Sequence, residues 1–466
     1  MPKALNSRYL RWALGLLVLL DLAHTFAQSY YLPLDGDLAG IVLPSARCQQ
    51  VLHDPFGWAA LVRQEVYTAP NRFFAHAAMV GYLRHVPRAL QVLASPIESL
   101  YLAQALLQVA VQAALLWLLA AYARLLLPRL GRNGGWLAAA LLTPLFQLTS
   151  FSAQMGIISR SITYTFFYAL PLAMLLAWLL PLARAAARAQ PLRLSGPLVL
   201  LWAALAPVLA FNGPVVTAAV GVLTLVLAAQ GAWARRRRGR WPAWWSAQAL
   251  GLWVWLGALC VVSLYEGRFE AENSHLYSLP QLYQLLPLGI GQALTGKLGL
   301  PLLLAFVGLN AWLLRRYAPG EENRRVRQLL RWVGIFALLY LALLPLGGYR
   351  PYRALLVRSD SVMPALLGLL LAYVGSTLYL LHHLPAMARR WYLGGVLGLT
   401  VFFVASDIHL WHRHDNNLNE RAGLALLAQA TTPVVRLPAE YQVMAWTPIT
   451  DPQNSATNAA LLHYWG

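Results

Sequence analysis

Long apolar runs recur from one end of the chain to the other, separated by short polar gaps. The runs are hydrophobic all round, which predicts helices buried in lipid or in a bundle. Several approach the ~20 residues a helix needs to cross a bilayer. The pattern predicts about eleven spans: 9–28, 98–126, 134–151, 162–184, 194–211, 214–231, 244–265, 295–315, 328–347, 361–383 and 391–411. Pro171, Pro207, Pro301, Pro345 and Pro364 fall within spans or at their ends and predict kinks. The expected fold class is an all-α, polytopic membrane helix bundle.

The gaps alternate in sign. Arg124/Arg129/Arg132, Arg184/Arg188/Arg193, Arg235 to Arg240, Arg315 to Arg331 and Arg389/Arg390 fill every second gap. The other gaps hold nearly all carboxylates, and only Glu321 and Glu322 fall on the basic side. Cytoplasmic segments are rich in Lys and Arg, so the N-terminus is expected inside and the C-terminus outside. Residues 10–26 follow a basic stretch and resemble a signal peptide. Asp21 and His24 interrupt the run and no strong small-residue cleavage site follows, so a retained span is expected.

Composition agrees: 59% of residues are hydrophobic and 11% charged. The net charge of +19 looks like that of a nucleic-acid binder, but the excess is topological. No soluble basic domain exists to carry a nucleic-acid role. Cys48 and Cys260 allow one disulfide and no zinc spacing. Many Trp and Tyr residues sit at span ends, like an interfacial belt.

Two domains are expected: a transmembrane unit, 1–411, with a long first external loop at 29–97, and a small external segment, 412–466, packed against that loop. Within the loop, 72–86 reads as a helix lying in the interface. Residues 266–296 open with acids and turn apolar without the length to span, as a re-entrant or surface-lying segment does. The absence of an internal repeat argues against an inverted-repeat transporter.

The candidate chemistry lies in the outer segments. Asp35-Gly36-Asp37, just past the first span, can aim two carboxylates into one cavity from a tight turn. Either acid suits a general base, or the pair suits a divalent cation; alone, the motif is more often a solvated turn. Arg72, Arg160, Arg268, Lys297, Arg350, Arg353 and Arg358 lie near the outer interface. Guanidinium groups bind phosphate bidentately, and Arg350/Arg353/Arg358 form the densest set. Singly, such residues more often snorkel to headgroups or pair with loop acids. His53, Asp54 and His76 are secondary candidates for orienting groups or moving protons. Asp21 and His24 are costly in lipid and should face protein or water. No phosphate-cradling Gly loop or nucleotide fold is present.

The acidic turn after one span, the many further spans and the small outer C-terminal part resemble the GT-C glycosyltransferases. The segments Asn71 to His76, Arg350 to Asp360 and Asp451…Asn458…His463 to Gly466 resemble bacterial envelope proteins grouped with that superfamily. The resemblance implies an inner-membrane enzyme with a periplasmic site, taking a sugar from a polyprenyl-phosphate carrier to a glycan, lipid or protein acceptor with inversion. It implies Asp37, or Asp35, as base; Arg350, Arg353, Arg358 and Arg72 would hold the lipid phosphate. No organic cofactor is implied, and a divalent cation would fall to Asp35 and Asp37. The rivals are a lipid or glycan transporter, which needs charged sites near the midplane, and a non-catalytic envelope assembly protein.

Overall fold

The computed structural model describes residues 8–149, 155–239, 241–273, 276–317, 320–411 and 417–466. The chain is all-helical, with 75% of it in helices. In chain order, α1 (Arg8–Tyr30) leads into a loop-rich segment holding α2 (Leu38–Val42), α3 (Ala46–His53), α4 (Trp58–Arg63) and α5 (Phe73–Leu90). Then come α6 (Pro96–Leu126), α7 (Gly131–Leu142), α8 (Ile162–Tyr164), a π turn (Thr165–Ala169) and α9 (Leu170–Ala187). They are followed by α10 (Gly196–Ala210), α11 (Pro214–Arg238), α12 (Ala247–Glu266), α13 (Leu279–Thr295) and α14 (Gly299–Tyr317). The chain closes with α15 (Glu321–Leu343), α16 (Met363–His383), α17 (Ala386–Trp411), α18 (Leu418–Ala428) and α19 (Ala456–Trp465).

Among the described residues, seven helices are long and apolar enough to cross a membrane, or eight if α13 and α14 count as one bent span. The chain is a multi-pass membrane protein. Of the other predicted spans, one is broken, one is short, one is an arm of the bent pair and one lies in a continuous helix. Run 134–151 breaks after Leu142, where Pro144 has no amide hydrogen to continue the ladder and the chain tightens into a 3-10 turn. Run 194–211 is a helix of 15 residues. Run 295–315 is the second arm of a pair bent by 86°, and its first arm is the apolar stretch too short to span alone. The final run lies within α17.

The main apolar core runs through α6, α7, α9, α11 and α16. A second core lies at the loop-rich end and is shared by the first loop and the tail. Leu34, Leu38, Met79 and Leu83 pack there with Leu424, Met444, Leu461 and Trp465. Trp465 Nε1 donates to the Leu83 carbonyl at 2.8 Å, and Arg88 stacks over Tyr464. Helix α5 follows the predicted 72–86 and turns Ala75, His76, Met79 and Leu83 inward. Cys48 and Cys260 do not form a disulfide.

Glu420 ties the two parts together. Its buried carboxylate accepts from Leu34 N at 2.9 Å, Met444 N at 2.9 Å and Tyr101 Oη at 2.8 Å. Replacing it with Ala orphans three buried donors, each worth about 1–3 kcal/mol. Glu420→Ala should therefore cost about 3 kcal/mol or more, read as a lowered Tm of the purified protein. An unchanged Tm would show that the tail is not held this way.

Candidate functional site

Asp35 and Asp37 play different parts. Asp35 is buried, and its carboxylate accepts from Ser161 Oγ at 2.6 Å, Thr163 N at 3.0 Å, Thr163 Oγ1 at 2.9 Å and Asp37 N at 3.1 Å. It thus caps the start of the α8–α9 helix, where exposed amides and the helix dipole favour an anion. Burial nevertheless pushes its carboxyl above the usual range, against the hydrogen bonds that lower it. Its oxygens are occupied by the fold. Asp37 is only partly buried, and its Oδ1 accepts from Trp446 Nε1 at 3.1 Å.

Gly36 explains the spacing of the two acids. A Cβ there would meet Trp446 N at 2.6 Å and the indole ring at 2.7 Å, so only glycine lets Trp446 lie on the turn.

From Trp446 the contacts continue. Its ring lies 6.4 Å from that of Tyr164. Arg353 donates to Tyr164 Oη at 3.1 Å and to Tyr168 Oη at 3.3 Å. The π turn follows Tyr164 directly, and the Tyr164 and Tyr168 rings meet edge-on at 5.6 Å. Such turns are frequent at functional sites. Asp360 lies 3.6 Å from Arg353 and 2.7 Å from Arg358. One carboxylate shared by two guanidinium groups leaves one positive charge unbalanced.

Arg72 adds a second cation. It lies over Phe167 at 5.9 Å and has no ion pair among the described residues. Arg350 is placed differently. It is paired with Glu270 at 3.1 Å and Glu272 at 2.7 Å, and it hydrogen-bonds Tyr352. Two acids already compensate that one cation, so Arg350 fastens 266–273 to 348–353.

The secondary candidates scatter. Asp54 caps α4 through Trp58 N and Ala59 N and accepts from Tyr67 Oη, while His53 beside it is exposed. Arg160 is exposed next to the Ser161 cap, and Lys297 is exposed in the bend between α13 and α14. His76 is buried against Phe167, with Nδ1 at 3.0 Å from the Arg72 carbonyl. Burial pushes its imidazole down to about 4, so it is neutral at pH 7. Among the described residues no three His, Cys, Asp or Glu side chains gather as a metal-ligating set. With Asp35 occupied, the acidic turn does not offer a two-carboxylate cation site.

The His76 environment carries a pH prediction. A histidine ordinarily near 6.5 but held near 4 when folded binds its proton better unfolded. Stability is therefore full above pH 6.5 and falls as pH drops toward 4, by about 3 kcal/mol. The acid-induced drop in Tm should shrink in His76→Asn. A drop identical in both proteins would rule out His76 as its source.

Below this cluster lies an apolar cavity of about 650 Å³ within the membrane-spanning part, bounded by α6, α9, α11, α12, α15 and α16. Leu172, Phe336 and Pro364 line one part of it and Trp244 and Trp245 another. Leu172 is one turn from Tyr168, Phe336 is one turn from Tyr340, and Pro364 is four residues from Asp360.

Sequence reading missed Tyr164, Tyr168, Trp446 and Asp360. The only signal was the i, i+4 spacing of the two tyrosines, which also suits an interfacial aromatic belt. No family model, curated protein or solved structure matches the chain.

Proposed function

We propose that the chain is a GT-C-like glycosyltransferase using a polyprenyl-phosphate-linked sugar at its loop-rich end. What carries this reading is one unbroken set of contacts, Asp37–Trp446–Tyr164–Arg353, standing over an apolar groove. The alternating charge of the gaps orients that end outward, toward the periplasm of a bacterial inner membrane.

In this reading the carrier's isoprenoid chain lies in the groove and its phosphate meets Arg353, Arg358 and Arg72. Asp37 removes the proton of an acceptor hydroxyl, whose oxygen attacks the anomeric carbon. The bond from that carbon to the carrier phosphate breaks, and the departing phosphate charge is met by the arginines. A single base and no covalent intermediate give inversion. Asp35 is a positioning residue that holds the turn on the helix bearing Tyr164.

The groove gives this reading its own test. Gly368 on α16 lines the cavity, and a Cβ there meets Val333 at 3.4 Å. Gly368→Phe should weaken binding of a long-chain polyprenyl phosphate at least tenfold and leave a short-chain analogue unaffected. Equal effects on both chain lengths would place the lipid elsewhere.

One observation favours a second reading, lipid or glycan transport. His24 on α1 lies 3.6 Å from Asp407 on α17, and Asp21 stands one turn before His24, so ionisable groups from two helices gather within the bundle. Flipping of labelled lipid across vesicles, without sugar transfer, would distinguish it.

A further inference from the structure

Three glutamines stand on one face of α6 at four-residue spacing: Gln104, Gln108 and Gln112. All are fully buried. Each uses its amide nitrogen: Gln104 toward Ser29 O at 3.1 Å, Gln108 toward Ser159 O at 2.7 Å and Gln112 toward Thr25 Oγ1 at 3.2 Å. Backbone carbonyls only accept, which fixes the first two amide orientations. Thr25 gives its own proton to Gln147 Oε1 at 3.3 Å, which fixes the third. All three amide oxygens are then left without a donor among the described residues.

The column leads to an acid pair. Gln147 Nε2 donates to Asp21 Oδ1 at 2.5 Å. Asp407 accepts from Gln28 Nε2 at 2.9 Å and from Thr149 Oγ1, and His24 Nδ1 lies 3.6 Å from its Oδ2. Asp21 Oδ2 and Gln28 Oε1 also lack donors among the described residues, and Gln28 is 3% exposed. The ionisable groups facing the acids are each other and His24. Of the elements packed around them, α6 contributes the Gln112 amide, and 143–149 contributes the Gln147 amide and the Thr149 hydroxyl. Tyr30, Glu98 and Arg421 stand at the loop-rich end of the column, mutually hydrogen-bonded.

Acceptors dominate the imbalance, with the Ser29 hydroxyl, unpaired among the described residues, the group beside them that can also donate. Five buried oxygens accept and receive nothing, while the amide nitrogens around them are spent. A buried acceptor left unpaired costs about 1–3 kcal/mol, so the site calls for donors. From Gln104 to Gln112 the column covers about 12 Å of helix. An imidazole nitrogen is a poor ligand for sodium, and no metal-ligating triad forms among the described residues.

We propose that Asp21 and Asp407 bind a proton within the membrane and that the Gln104–Gln108–Gln112 face is its hydrated path from the loop-rich end. This site stands apart from the acidic turn and does not depend on the glycosyl-transfer reading.

The test is infrared spectroscopy of the whole protein in lipid nanodiscs. Wild type should show a protonated-carboxyl band that titrates with pH and is missing from Asp21→Asn and from Asp407→Asn. On transfer to D2O the band shifts by deuteration, and Gln108→Leu should slow that shift at least tenfold while leaving the titration in place. Should Asp21→Asn misfold, Asp21→Glu must keep a titrating band at an altered position. No band separating wild type from the Asn variants overturns the proposal. So does a Gln108→Leu shift as fast as wild type, or a titration that follows sodium rather than pH.

Discussion

Asp37→Asn is expected to abolish most turnover while leaving the protein folded. The carboxylate of Asp37 is partly exposed and accepts from Trp446 Nε1, a bond that the Asn carbonyl oxygen can still accept. Losing a positioned base costs roughly 10²–10⁴ in rate. Transfer from a polyprenyl-phosphate sugar should fall by that factor with carrier binding intact. Asp35→Asn should act through the fold. An Asn side chain puts at least one N–H against the Thr163 amide, the Asp37 amide or the hydroxyls, where Asp35 now only accepts. The protein should lose stability first and activity with it. Wild-type turnover in Asp37→Asn would remove the acidic turn from the chemistry.

Arg353→Ala is expected to weaken carrier binding by about 1.5–3 kcal/mol, the loss of a charge-assisted hydrogen bond. Arg353→Lys should restore only part, because Lys lacks the planar fork that reaches Tyr164 and Tyr168 together. Arg350→Ala should differ in kind. It leaves Glu270 and Glu272 facing each other without their cation, which lowers stability rather than affinity. Binding measured against chain melting separates the two. Equal loss of carrier affinity in both variants would mean that Arg350, too, touches the phosphate.

These contrasts mark what the sequence could express. Spans such as 98–126 and 361–383 are legible because an apolar run long enough to cross a bilayer leaves few other folds. The break after Leu142 depends on Pro144, a residue that other spans absorb at their ends. The outer acids were visible, but their roles were not. Asp35 is occupied by Ser161, 126 residues away, and Arg350 is neutralised by Glu270, 80 residues away. Asp407 reads as one polar residue in a final span until packing brings it to His24. Local pattern reports which residues are costly to bury; it does not report which distant side chain compensates them.

The most direct measurement is photocrosslinking of the purified protein with a polyprenyl phosphate carrying a photoreactive group in its isoprenoid chain, followed by mass mapping of the adducts. Adducts should fall on the groove, at Leu175, Leu176, Gly368 and Leu371, and should drop sharply in Arg353→Ala. Adducts confined to outward faces, such as Leu19, Leu200 and Val261, and undiminished in Arg353→Ala, would contradict a carrier site joining the groove to Arg353 and Asp37.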